Sequence, residues 1–198
     1  MKETDDLILV ERIKAGQIDA FRELVDRFKQ PVYALARDLT GNHHDAEDLS
    51  QEVFMSVYKS INQFRQDANL HSWLYRITVN GFINKKRKKI LRIIKLSIDR
   101  DEAGRDFGDP VELGIEGDPE RHAQSALIQR HISAALDKLA PREKAVFIMK
   151  HYHDQKIPQI AETLSISPGT VKSLLFRGIQ KLKKELSFYK ADLGLENL

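Results

Sequence analysis

The 198-residue chain contains no cysteine. That excludes a disulfide, a thiolate metal site or a cysteine nucleophile within it, and suits a reducing compartment. Long apolar runs are also missing, since nothing approaches the roughly 18 residues expected of a membrane span. The opening Met1-Lys2-Glu3-Thr4-Asp5-Asp6 is the wrong start for a signal peptide. The expectation is a cytoplasmic protein with no membrane insertion. There is no phosphate-binding glycine loop, no paired catalytic carboxylates and no His-Glu-x-x-His pair. His43, His44 and the acids around them sit at adjacent positions that point apart on a helix, so a metal-dependent hydrolase built on them is a distant reading. No catalytic residue, metal or cofactor is expected.

Charge of both signs is plentiful, with 32 Lys or Arg against 29 Asp or Glu. The net value of +3 hides an uneven distribution. Lys85 to Lys95 holds seven basic residues and no acid, whereas Asp99 to Glu120 holds nine acids against two Arg. Ser167 to Lys190 is basic again, with six Lys or Arg opposed only by Glu185. Two basic patches flanking an acidic connector suit a protein that meets a polyanion at two places, although solubility alone would also favour such charges.

The apolar residues recur at helical spacing and no long alternating strand pattern occurs, so the predicted class is all-α. Helices are expected near Leu7–Ala15, Ile18–Leu39, His44–Ile61, Leu70–Lys89, Ala123–Lys138, Arg142–His151, Ile157–Leu164 and Pro168–Phe188. Asp99–Pro119, with four glycines and two prolines, reads as a flexible linker. Two small helical domains follow: 1–92, then an acidic linker over 93–122, a second domain over 123–188 containing a helix-turn-helix, and a tail over 189–198. Phe21, Leu24, Val25, Phe28 and Val32 supply one amphipathic core face.

Three faces then stand out. On the helix from His44, the residues Ala46, Leu49, Ser50, Val53, Val57 and Ile61 share one side, leaving Asp48, Gln51, Glu52, Met55 and Lys59 on the other. Carboxylates beside an exposed methionine fit a docking surface for a basic partner, and an ordinary solvated helix face would show the same pattern. On the helix from Leu70, the residues Trp73, Arg76, Asn80 and Arg87 form a stripe able to stack on a base, read its edge and hold phosphates. A tryptophan alone is more often a core residue. Near the C-terminus, Ile160, Ala161 and Leu164 mark a short buried face, Ser165-Ile166-Ser167 a turn, and Ser167-Pro168 a cap with proline at the first helical position. Val171, Leu175, Gly178 and Leu182 then point inward. Lys172, Ser173, Phe176, Arg177, Gln180, Lys183 and Lys184 point outward, as a helix-turn-helix in a major groove requires.

With "AEDLSQEVF", "FRQDANLHSWLYRITVN" and "SISPGTVKSLLFRGIQKL" in that order, the chain resembles the extracytoplasmic-function (ECF) sigma factors of the sigma-70 family. The similarity covers Leu7–Lys89 as region 2 and Ala123–Leu186 as region 4. The resemblance implies that core RNA polymerase, promoter DNA and an anti-sigma factor are partners. It implies polymerase binding by Asp48, Gln51 and Glu52, with Met55 beside them. Asn62, Arg65 and Asn69 in the loop before the Trp helix would capture the −10 non-template strand together with Trp73, Arg76, Asn80 and Arg87. Thr170, Lys172, Ser173, Phe176, Arg177, Gln180 and Lys181 would read the −35 duplex. Leu174 stands where relatives commonly carry arginine, at the edge of the exposed face, which implies one missing DNA contact. Opening five base-pair steps costs about 7 kcal/mol at ~1.4 each, and each stacked base returns about 1–3, so the chain would capture an open strand rather than create one. The alternative is a helix-turn-helix regulator whose N-terminal helices sense a ligand or dimerise.

Overall fold

The computed structural model describes residues 2–65, 69–99 and 119–189, and every regular element among them is helical. Four helices form the N-terminal unit: α1 (Lys2–Lys14), α2 (Ile18–Thr40), α3 (His43–Ser60) and α4 (Leu70–Asp99), with a 3-10 turn at Ile61–Gln63. Four more follow: α5 (Pro119–Asp137), α6 (Pro141–His151), α7 (Ile157–Leu164) and α8 (Pro168–Glu185). Residues 100–118 of the expected acidic linker and 190–198 of the expected tail lie outside the described residues.

Local chemistry explains most boundaries. Gly41, at φ +83°, closes α2 in the left-handed conformation that glycine adopts without penalty. Asn42 then caps α3: its side-chain oxygen accepts from the Asp45 backbone N–H at 2.7 Å, and its amide donates to the Asp45 carboxylate at 2.8 Å. Asp45 thus sits in the first turn, where the helix dipole favours an acid. Asn69 caps α4 by accepting from Ser72 N at 3.1 Å. Ser167 accepts from Thr170 N at 3.1 Å, with Pro168 opening α8.

The α2 pattern places Ala20, Leu24, Phe28, Val32, Leu35, Ala36 and Leu39 in the core against α3 and α4. Gly81 lies where α4 crosses α3, and a Cβ there would stand 2.9 Å from Leu49 Cδ1. The small residue therefore sets how closely these two helices approach. In the C-terminal unit, Ala145, Val146, Ile148, Met149, Ile160 and Val171 are fully buried among α6, α7 and α8.

Two expectations needed correction. The helix expected to end at Lys89 continues to Asp99, because Lys, Arg, Leu and Ile all sustain a helix and no proline or glycine interrupts the basic run. Leu174, expected at the edge of an exposed face, is 6% exposed. Val171, Leu174, Leu175, Gly178 and Leu182 form one continuous i, i+3, i+4, i+7, i+11 stripe, and both α6 and α7 pack against α8, so the buried arc is wide enough to take Leu174 in. The position therefore belongs to the core.

The sequence also gave no sign that the two units touch. α6 packs on α2 and α4, and α7 packs on α4, so the buried side chains of both halves form one cluster.

Candidate nucleic-acid interface

The face of α8 is built by its capping and its apolar stripe. Once Ser167 and Pro168 fix the start and Val171 points inward, Thr170, Lys172, Ser173, Phe176, Arg177, Gln180 and Lys181 all come out exposed. Phe176 is 64% exposed, an uncommon state for so large an apolar ring. Lys172, Ser173, Phe176 and Arg177 line a shallow depression. Two of these cations are tied down from below. Glu143 of α6, itself 4% exposed, accepts from Lys181 Nζ at 2.7 Å and stands 3.8 Å from Arg177 Nε. Its carboxylate also accepts the Ala140 backbone N–H at 3.1 Å. Burial works against ionisation of Glu143, but the Lys181 hydrogen bond, the Ala140 N–H and the charges of Lys181 and Arg177 outweigh it and hold its pKa below the usual value.

On α4 the expected stripe is split. Asn80 and Arg87 are exposed, as are Asn62, Arg65 and Asn69 in the preceding segment. Trp73 is half-buried and meets Phe64 edge-to-face at 5.2 Å, so part of its ring belongs to the core. Arg76 is engaged within the chain, where its Nε donates to the carbonyl oxygen of Thr163 in α7 at 2.9 Å.

The acidic face of α3 follows the predicted partition. Ala46, Leu49, Val53 and Val57 are buried, and Asp48, Gln51, Glu52 and Met55 are exposed, Met55 by 55%. Glu52 pairs with Lys85 of α4 at 3.1 Å, and His44 lies 4.0 Å from Asp48. Tyr58, 57% exposed and three residues after Met55, extends the face, and its ring meets that of Phe21 edge-to-face at 5.1 Å. His43 bonds the Tyr33 hydroxyl at 2.6 Å and Glu47 at 3.1 Å.

Glu143 and Lys144 were not anticipated. Lys144 is 3% exposed; its ammonium donates to Asp137 at 2.8 Å and lies 6.0 Å from the centre of the Phe82 ring. Desolvation lowers its pKa, with the Asp137 charge and hydrogen bond opposing. Glutamate three residues after Ala140 was a legible hint, because a side chain at that position reaches back to the helix start. Nothing in the sequence marked Lys144.

A family model described as "Sigma-70 region 2" matches residues 24–90, and one described as "Sigma-70, region 4" matches residues 129–182. The ECF RNA polymerase sigma factor SigW of Bacillus subtilis is 33% identical over 181 residues, covering 89% of this chain and 94% of that protein. The ECF RNA polymerase sigma-E factor of Escherichia coli K12 is 26% identical over 181 residues, covering 91% and 94%. Among solved structures, the fold is similar to that of the sigma factor RpoE of Bartonella quintana in complex with the anti-sigma factor NepR. That match has a TM-score of 0.61 at 23% identity and covers 84% of this chain and 96% of the other. CnrH in complex with the cytosolic domain of CnrY also has a TM-score of 0.61, at 20% identity, covering 91% and 96%.

Proposed function

The chain belongs to the ECF group of the sigma-70 family, and from that membership we propose how its surfaces divide the work of a promoter-specificity subunit. It is an RNA polymerase sigma factor that binds core polymerase and directs initiation at particular promoters in the cytoplasm, and the polymerase performs the chemistry. The N-terminal unit, residues 1–92, acts as region 2, and residues 123–188 act as region 4, with 93–122 between them. Asp48, Gln51, Glu52 and Met55 of α3 dock on the polymerase. Asn62, Arg65, Asn69, Trp73, Arg76, Asn80 and Arg87 take the −10 non-template strand. Thr170, Lys172, Ser173, Phe176, Arg177, Gln180 and Lys181 read the −35 duplex. An anti-sigma factor is the expected antagonist.

The observation that carries this reading is the presence, in one chain, of an exposed acid-and-methionine face on α3 and an exposed basic face with an exposed phenylalanine on α8. A simple DNA-binding regulator needs only the second. Capture by immobilised core polymerase, followed by transcription in vitro over a randomised promoter library, tests it. A chain that neither joins the polymerase nor selects start sites would refute the assignment.

Two substitutions address individual residues. Asn80→Ala should weaken −10 selection by about 1–3 kcal/mol, the range for one base-specific contact, seen as a loss of preference in the promoter library. Unaltered preference would remove Asn80 from the interface. Arg177→Ala should weaken −35 duplex binding and reduce the salt slope by about one. If the slope stays constant, Arg177 serves Glu143 alone.

A further inference from the structure

We propose that Glu143 is a built-in counter-charge of the DNA-reading helix: it neutralises Lys181 and directs Arg177, so that α8 favours its own −35 sequence over other duplexes. The proposal deepens, and rests on, the reading of α8 as the −35 face.

The carboxylate lies beneath the exposed face and within reach of it. α8 packs on α6 at Gly178, where an added Cβ would stand 3.8 Å from Glu143 Cβ and 3.9 Å from its carbonyl oxygen. Arg177 and Lys181 lie beside that point at i and i+4, about one helical turn apart. Their side chains are 60% and 48% exposed, yet both reach down to a carboxylate that is 5% exposed. The two carboxylate oxygens divide the contacts. Oε2 accepts from Lys181 Nζ at 2.7 Å and from the Ala140 backbone N–H at 3.1 Å, whereas Oε1 stands 3.8 Å from Arg177 Nε. Lys181 is therefore held by a charge-assisted hydrogen bond and Arg177 by attraction alone. The Ala140 N–H anchors Glu143 to the start of its own helix, so the carboxylate does not follow the cations outward.

This arrangement bears on how DNA is chosen. Each cation that neutralises a phosphate releases condensed counterions, and that contribution is the same at every sequence. A lysine already compensated by a carboxylate adds little to it, so Lys181, Arg177 and Glu143 together count as about one charge toward the backbone. Sequence-independent binding is thereby weakened. Arg177 is affected differently, because turning Nε toward Glu143 leaves the terminal nitrogens of its planar guanidinium for DNA within a restricted range of directions. A directed fork suits a partner at one position and is of less use elsewhere. Burial opposes ionisation of Glu143, but the Lys181 hydrogen bond, the Ala140 N–H and the two nearby cations outweigh it, and the counter-charge is present at neutral pH.

Glu143→Gln tests this, since it removes the charge and keeps an oxygen for the Ala140 N–H. The full-length variant, assembled with core polymerase, would be titrated across a range of salt with a promoter duplex selected from the randomised library. A second series would use the same duplex with its −35 element scrambled. The slope of log affinity against log salt should steepen by about one, because one net positive charge is added. Affinity for the scrambled duplex should rise about fivefold at about 0.15 M salt. Affinity for the matched duplex should rise less than about twofold, because the released Arg177 loses its direction there, so discrimination falls. Adding Lys181→Ala to Glu143→Gln should return the slope to the wild-type value, and Glu143→Asp, which keeps the charge, should not steepen it. A merely structural loss would weaken binding to both duplexes and would not steepen the slope. If Glu143→Gln fails to fold by circular dichroism, the wild-type chain labelled with 15N-lysine gives the same answer. On addition of the matched duplex, the side-chain signal of Lys172, on the same face but outside this network, should move while that of Lys181 stays near its free position. An unchanged or shallower slope in Glu143→Gln, an equal rise for both duplexes, or Lys181 and Lys172 signals that move together would each overturn the proposal. A wild-type holoenzyme that binds both duplexes alike would remove the −35 reading of α8 and the proposal with it, a result that needs no variant.

Discussion

A chain carrying Asp48→Lys and Glu52→Lys is expected to lose about a hundredfold or more in affinity for core RNA polymerase while keeping its fold. Both side chains are exposed on the outer face of α3, so neither reversal disturbs the buried residues Ala46, Leu49, Val53 and Val57. Placing like charges against a basic partner costs several kcal/mol, and about 2.7 kcal/mol already amounts to a hundredfold. The expected loss of stability is smaller, because the Glu52–Lys85 pair is solvent-exposed and such pairs contribute at most about 1 kcal/mol. That pair also supplies the decisive control. Glu52→Lys combined with Lys85→Glu restores an ion pair between α3 and α4 but leaves a lysine on the docking face. Binding kinetics on immobilised polymerase should show the swap to be as defective as Glu52→Lys alone. Recovery of affinity in the swap would mean that Glu52 acts within the chain, and the docking assignment for that residue would fall.

Glu143→Ala should destabilise the chain by about 0.5–2 kcal/mol, the range for losing a side-chain cap at a helix start. The donor at issue is the Ala140 N–H, since Lys181 and Arg177 are about half exposed and can turn to water. The pH dependence has a definite sign. The folded-state pKa of Glu143 lies below its unfolded value, so its ionisation stabilises the fold above the ordinary glutamate pKa of about 4.3. That stabilisation is lost as pH falls through the lower folded-state value. Urea denaturation followed by circular dichroism should therefore show a wild-type advantage at pH 7 that narrows below about pH 4. An advantage that persists undiminished to pH 3 would show that the side chain contributes by packing and not by charge.

Residues whose partners lie nearby in sequence were legible. The turn of α7 into α8 could be read from Ser167, Pro168 and the apolar spacing, because capping and periodicity are local. The exposed set on α3 followed from the same periodicity, as did the all-helical class. Leu174 was misplaced because the width of a buried arc depends on how many helices pack against it, and α8 receives both α6 and α7. Tyr75 and Phe82 escaped notice for a related reason. They are 5% and 2% exposed, and their contacts lie more than 60 residues away in the chain. Composition and spacing can mark a face as apolar or polar. They do not say which distant face will meet it, so the engagement of Arg76 by Thr163 and of His153 by Asp38 was beyond reach.

The unbroken course of α4 has a geometric consequence for whatever is attached to it. At about 1.5 Å per residue the helix advances about 28 Å from Asn80 to Asp99, so the chain leaves it at a fixed offset and bearing from Asn80. Inserting or deleting one residue in that span would swing the exit by about 100° as well as displace it by about 1.5 Å. Residue count within α4 therefore acts as an angular gauge, fixing the direction in which the connecting polypeptide departs.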